Sequence, residues 1–215
     1  MNSLWDATLS SIVIKPTLLL LFVSSLFKEK QELVATLIKR FPKATLIGCS
    51  IAGEISDDKV SDYSVSLTAI QYEKTMHKLV DVVIKYMEHN FDASKELANK
   101  LKATNLKHVL VLSDDLNVNG ADLVSGLKST LPEVSIASGL AGDGSDFKET
   151  FVIDNNKISD NCIAAVGFYG DDLKICFSSK RRWDSFGIEH LVTKSNKNVL
   201  CELDGLPALE LYKFF

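Results

Sequence analysis

Hydrophobic positions along the chain change period in a way that marks out its elements. Thr17–Ser24 is an unbroken apolar run behind Pro16, the pattern of a strand buried on both faces. Leu33, Val34, Leu37, Ile38 and Phe41 then recur at helical spacing, which predicts a helix over Lys30–Phe41 closed by Pro42. Thr45–Cys49 reads as a strand. Val65, Leu67 and Ala69 alternate, so Ser64–Ile70 reads as a half-buried strand, and His77–Ile84 as another. Leu97, Ala98 and Leu101 share one stripe of a helix over Phe91–Leu101. A second fully apolar strand, His108–Ser113, leads to a helix over Asn119–Leu131, closed by Pro132, and a strand at Val134–Ala137. Further strands are predicted at Thr150–Asp154, Ile163–Tyr169, Leu173–Ser178, Gly187–Thr193 and Val199–Leu203. Short helices are predicted at Ser3–Leu9 and Pro207–Phe215. The fold class is α/β in the mixed α+β sense, with strand-rich mixed sheets flanked by helices.

The pattern repeats. Sliding the chain by 90 positions lays Leu33, Val34, Leu37 and Pro42 over Leu123, Val124, Leu127 and Pro132. Leu20–Phe22 falls on Leu110–Leu112, and the segment Gly48–Glu54 falls near Ser138–Gly144. This predicts an internally duplicated strand–helix–strand–strand unit, with halves over about 12–90 and 104–180. A C-terminal strand–strand–helix segment completes a single domain spanning 1–215.

Composition narrows the function classes. Lys plus Arg is 24 against 28 Asp plus Glu, a net charge of −4, without the clustered basic face of a nucleic-acid binder. The run Leu18–Val23 is far shorter than the roughly 20 apolar residues of a spanning helix. The four cysteines, Cys49, Cys162, Cys176 and Cys201, lie far apart and fit neither a zinc site nor a disulfide scaffold. A cytoplasmic protein without nucleic-acid or membrane partners is expected.

Two glycine-containing segments carry the candidate chemistry. Gly48-Cys49-Ser50-Ile51-Ala52-Gly53-Glu54 follows an apolar strand, where small residues let backbone N–H groups approach a ligand. Gly139, Gly142 and Asp143 lie in its second copy and would close a shared pocket from the other side. A nucleophile elbow on Ser50 would need G-x-S-x-G, and here the second glycine comes one residue late. Cys49 has no local cation or helix start to activate it. Arg181 and Arg182, beside Trp183, stand out because Arg40 is the only other arginine, and a guanidinium can grip a carboxylate with two hydrogen bonds. The four histidines, His77, His89, His108 and His190, show no metal-ligand spacing. Asp114 and Asp115 end an apolar strand, a common place for functional side chains and equally for a helix cap.

Three segments together resemble a known family. They are Leu20–Ser24, the turn Gly48-Cys-Ser-Ile-Ala-Gly-Glu-Ile55, and Val192-Thr193 with the string Glu202-Leu-Asp-Gly-Leu-Pro-Ala-Leu-Glu-Leu-Tyr212. From Thr17 onward the chain resembles the N-terminal part of the FIST domain (F-box and intracellular signal transduction). The resemblance implies a non-enzymatic sensory module that binds a small ligand, amino acids or similar anionic or zwitterionic molecules. It would pass the signal to an output protein such as a kinase or cyclase. It also implies one alternative, a haem-binding nitric oxide sensor, as in some family members; a hydrolase on Ser50 or Cys49 is the alternative raised by the residues themselves. The ending Leu211-Tyr-Lys-Phe-Phe215 reads as a cut, with the C-terminal FIST part absent. Residues 182–187 match the family's stretch before Val192-Thr193 only loosely.

Overall fold

The computed structural model describes residues 9–56, 58–84, 86, 89–144, 146, 148–176, 188–196 and 199–213, with backbone alone at 54–56, 59 and 60. The expected leading helix over Ser3–Leu9 falls almost wholly outside the described residues, as do Arg181, Arg182 and Trp183. The chain divides into two compact units, Met1–Ile175 and Cys176–Phe215.

In the first unit the elements run β1 (Leu18–Ser24), α1 (Lys30–Arg40), β2 (Thr45–Ile51), β3 (Glu54–Ser56), β4 (Lys59–Ser61), β5 (Val65–Ile70) and β6 (Met76–Val83). They continue with α2 (Asn90–Leu101), β7 (Leu106–Ser113), α3 (Gly120–Thr130), β8 (Ser135–Leu140), β9 (Val152–Asp154), β10 (Lys157–Ser159) and β11 (Cys162–Tyr169). One sheet has the order β10-β9-β2-β1-β5 and a second the order β6-β11-β7-β8, while β3 and β4 form a separate hairpin. The fold is mixed α+β, as the patterning predicts. The pairs β1–β2 and β7–β8 are parallel, each joined through a helix, and the other described pairs are antiparallel.

Strands buried on both faces explain the unbroken apolar runs. In β1, Leu19, Leu21 and Val23 face a core that holds Leu33, Val34 and Leu37 of α1. Leu18 and the half-buried Leu20 and Phe22 face the opposite way, into a second core with Ile47, Leu112, Ala164 and Val166. In β11, Ile163 and Ala165 pack with Leu97, Leu101, Leu123 and Leu127 of α2 and α3, while Cys162, Ala164, Val166 and Phe168 meet the other sheet. Two sheets thus pack face to face, with helices on both outer sides. The two parallel crossovers share one register: adding 90 to both members of the pair Leu18–Thr45 gives the observed pair His108–Ser135. The sheets also exchange strands, because β6 pairs with β11 and the β9–β10 hairpin pairs with β2.

Three expectations are corrected. The strand expected over Thr45–Cys49 runs on to Ile51, so Ser50 and Ile51 join Gly48 and Cys49 as strand residues and the bend begins later. A Cβ at Gly48 would collide with the Leu21 carbonyl of β1, so glycine here serves close strand contact. Ser138 and Gly139 likewise lie inside β8, which extends to Leu140. No strand forms over 173–176 of the expected Leu173–Ser178, since β6 and β7 already flank β11 and leave no edge beside it for a hairpin partner.

The second unit holds β12 (Val192–Asn196), β13 (Val199–Leu203), β14 (Leu206–Pro207) and α4 (Ala208–Tyr212). Asp204 and Gly205, with φ of 51° and 79°, make the left-handed turn between β13 and β14. The Asp204 carboxylate accepts from Leu191 N at 2.9 Å and contacts His190 Nδ1 at 2.7 Å, and these bonds hold its pKa below the usual carboxylate range.

Helices α2 and α3 touch through Gly126, where a Cβ would collide with the Phe91 carbonyl and come within 2.8 Å of Ser94 Cβ. Gly126→Ala is expected to lower unfolding stability by about 1–3 kcal/mol, because the obstacle is main chain. Urea unfolding checks this, and an unchanged midpoint would mean that the helices separate freely. Asp154 is 8% exposed, and burial first, then the Asp81 charge, raises its pKa, against a smaller lowering by Lys157. Its folded pKa lies above the unfolded one, so its favourable contribution is complete below the ordinary carboxyl range and is lost as pH rises through the folded value. Asp154→Asn is therefore expected to raise the melting temperature at pH 7 and to flatten its fall between pH 4 and 7.

Candidate functional site

The carboxyl ends of parallel strands are where open α/β folds gather ligands, because loops diverge there and leave a crevice. At that end of this unit, successive amides of the loop after β8 bridge the two sheets. Ala141 N donates to Ser113 O of β7 at 2.8 Å, and Gly142 N donates to Ser50 O of β2 at 2.9 Å. A Cβ at Gly142 would lie 3.1 Å from Ala52 N. The two glycine-containing segments therefore meet.

A cavity of about 320 Å³ opens beside this junction. Ser24, Ser25 and Leu26 at the end of β1 and Ile51, Ala52 and Gly53 at the end of β2 line it. Asp143, Gly144 and Asp146 join them, and Asp62 and Tyr63 come from the turn between β4 and β5. Among the described residues, three carboxylates and no cation line the cavity. Tyr63 has a φ of 61° and is 69% exposed. Among the described residues, the other non-glycine positions with positive φ are Asn155, Asn161 and Asp204, types that tolerate it well. A strained aromatic at the rim is the kind of outlier that gathers at ligand sites.

A buried polar layer supports the cavity from behind. Ser50 N donates to Phe151 O at 2.9 Å, and its Oγ accepts from Phe151 N at 3.1 Å. Asp114, 1% exposed, accepts from Thr150 Oγ1 and from the main-chain and side-chain nitrogens of Asn117. Asp114 thus organises its loop, and the cap of α3 is Asn119, whose Oδ1 accepts from Ala121 N and Asp122 N. Burial, followed by the charges of Asp114 and Asp143, raises the Asp115 pKa. Asp143 Oδ2 accepts from Lys148 N and, at 3.0 Å, from Glu149 N. Lys30, the first residue of α1, bonds Glu149 at 2.8 Å and lies 4.6 Å over the Phe151 ring.

Of the residues singled out in the sequence, Gly53 and Asp143 line the cavity, and Gly142 joins the two segments. Gly48, Cys49 and Ser50 lie behind it within β2, and Gly139 lies within β8. Of Glu54 only the backbone, in β3, is described, and Arg181 and Arg182 lie outside the described residues. Asp62, Tyr63, Asp146 and Ser24–Leu26 were missed. The position of Ser24 and Ser25 at the end of a buried parallel strand was a usable signal, and nothing in the sequence brings Asp62 to this place.

The geometry opposes the hydrolase alternative. Burial pushes the Cys49 thiol up to about 12, far from a reactive thiolate. Ser50 is fully buried, and His77 bonds Thr45 Oγ1 at the far end of the same strand.

The four histidines, candidate axial ligands for the haem alternative, sit in different surroundings. His77 Nε2 faces Thr17 O and Thr45 Oγ1, and its Nδ1 is buried. His108 is 4% exposed with Nδ1 on Ser135 Oγ, and His190 is engaged by Asp204. His89 lies beside Asp92 and Glu96, which would repel haem propionates. Among the described residues no group of three His, Cys, Asp or Glu side chains could hold a metal ion.

A family model described as the FIST N domain matches residues 17–206, most of the chain. The chain belongs to the FIST N domain family. FIST domains are sensory domains of signal transduction, and the family is non-catalytic. No curated protein matches this FIST N domain. No helix among its described residues is long and apolar enough to cross a membrane.

Asp143→Ala removes a charged acceptor for two loop amides in this FIST N domain and is expected to cost about 1–3 kcal/mol. Amide exchange at Lys148 and Glu149 should quicken in parallel. Unchanged protection there would show that the loop holds its shape without the carboxylate.

Proposed function

We propose that this FIST N domain senses a small ligand carrying an ammonium group, a zwitterion such as an amino acid, in the cavity where the two glycine-containing segments meet. One observation carries the proposal: a cavity of about 320 Å³ bounded by Asp62, Asp143 and Asp146, with no cation among the described residues of its lining. That volume falls at the lower end of the roughly 300–1,000 Å³ of small-molecule sites. Carboxylates favour an ammonium by direct charge-assisted hydrogen bonds. They disfavour the purely anionic ligands that the sequence alone left open. Tyr63 would cover the apolar part of the guest.

Occupancy reaches the rest of the molecule through what the cavity touches. Ser24–Leu26 lead from β1 toward α1, and Lys30 of α1 is tied to Glu149. A guest that binds one arrangement of these loops more tightly shifts the population toward it by that difference in affinity. An output protein such as a kinase or cyclase would read the shift.

A thermal-shift screen of amino acids, small amines and simple dicarboxylates tests the proposal. At about 100 times the dissociation constant, a true ligand contributes about 2.7 kcal/mol. Stabilisation is expected from amine-bearing compounds, with loss in Asp62→Asn and Asp146→Asn and weakening in Tyr63→Gly. Stabilisation by dicarboxylates alone, or an effect that survives both Asp substitutions, would refute it.

A further inference from the structure

At the opposite end of β1 and β2, where the chain enters both strands, a second hollow of about 480 Å³ lies between residues 14–16 and 40–43. Its electrostatics reverse those of the whole chain. The net charge is −4, yet this hollow is rimmed by Lys15, Arg40 and Lys43 and has no carboxylate among the described residues of its lining. All three cations are exposed, and none forms an ion pair with a described residue. The floor is apolar: Phe41 is half-buried, and the Arg40 guanidinium lies 5.5 Å over its ring. Ile14, 40% exposed, forms part of the wall.

A structural duty accounts for only part of this charge. Lys39 and Arg40 fall in the last turn of α1, where cations offset the negative helix end. Lys15 and Lys43 lie outside the helix and serve no such purpose. A concave floor between three cations suits an inserted side chain better than a flat lipid surface. Three charges are also too few for the extended phosphate track of a nucleic acid.

We infer that this hollow is a docking site for an acidic peptide segment of a protein partner, in which Asp or Glu residues flank one apolar anchor. The carboxylates would pair with Arg40, Lys15 and Lys43 while the anchor packs on Phe41. The site shares no residue with the ammonium cavity, so either proposal can fail alone.

Panning a random dodecapeptide phage library on the full chain tests the inference. Enriched peptides are expected to carry at least two Asp or Glu around an apolar residue. The fluorescein-labelled form of the most enriched peptide should bind the parent at least tenfold more tightly than the Lys15→Glu/Lys43→Glu variant. Its affinity should fall between 50 and 300 mM salt, as screening of exposed charges requires. Matched melting temperatures show that the variant folds, and Lys43→Gln serves if it does not. The inference is overturned by no enrichment, by enriched peptides without acidic excess, or by binding that is indifferent to the variant. Phosphatidylserine vesicles that bind the parent and lose binding in the variant, where the peptides do not, would make the hollow a lipid site and overturn it equally.

Discussion

Strands β1 and β11 bury side chains on both faces, and that double burial constrains the rest of the first unit. Each sheet must present one apolar face to helices and another to its partner sheet, so polar groups are driven to the strand ends. There, Ala141 and Gly142 donate to carbonyls of different sheets, which fixes the loop after β8 against the end of β2. The acidic cavity lies beside this junction, and the basic hollow lies at the other end of the same two strands. Regular structure in the middle and irregular backbone at the ends is what the accounting of buried amides demands.

The electrostatic contrast between those ends is sharp. One is lined by Asp62, Asp143 and Asp146 and the other by Lys15, Arg40 and Lys43, while the chain as a whole is only mildly acidic. Helix α1 runs between them, with Lys30 bonded to Glu149 near the first and Arg40 at the second. A rigid three-turn helix bridging two oppositely charged ends is a short physical route by which one could bias the other.

Elements with a strong period were legible in the sequence. The helix over Lys30–Arg40 and the strand Leu18–Ser24 appear within a residue or so of where the apolar positions put them, because propensity and packing agree there. The ends of β2 and β8 were not legible: Ser50 and Gly139 look like turn residues, and only the neighbouring strands reveal that small side chains serve close packing. The meeting of the two glycine-containing segments could be anticipated from their shared spacing. The arrival of Asp62, Tyr63 and Asp146 could not, since it depends on how a short hairpin and an irregular loop lie in three dimensions. Charge type followed the same rule: the sequence drew attention to arginines, whereas the described cavity wall is acidic.

The exchange of strands between the sheets has a consequence for how the chain can be assembled. Sheet one needs β9 and β10, which are synthesised long after β1 and β2, and β6 must wait for β11 before it has a neighbour. A nascent chain that has emerged only as far as β6 would therefore carry open strand edges that no residue yet made can cover. Closure comes late and nearly all at once, so a ribosome stalled midway would leave a sticky intermediate in need of a holding chaperone.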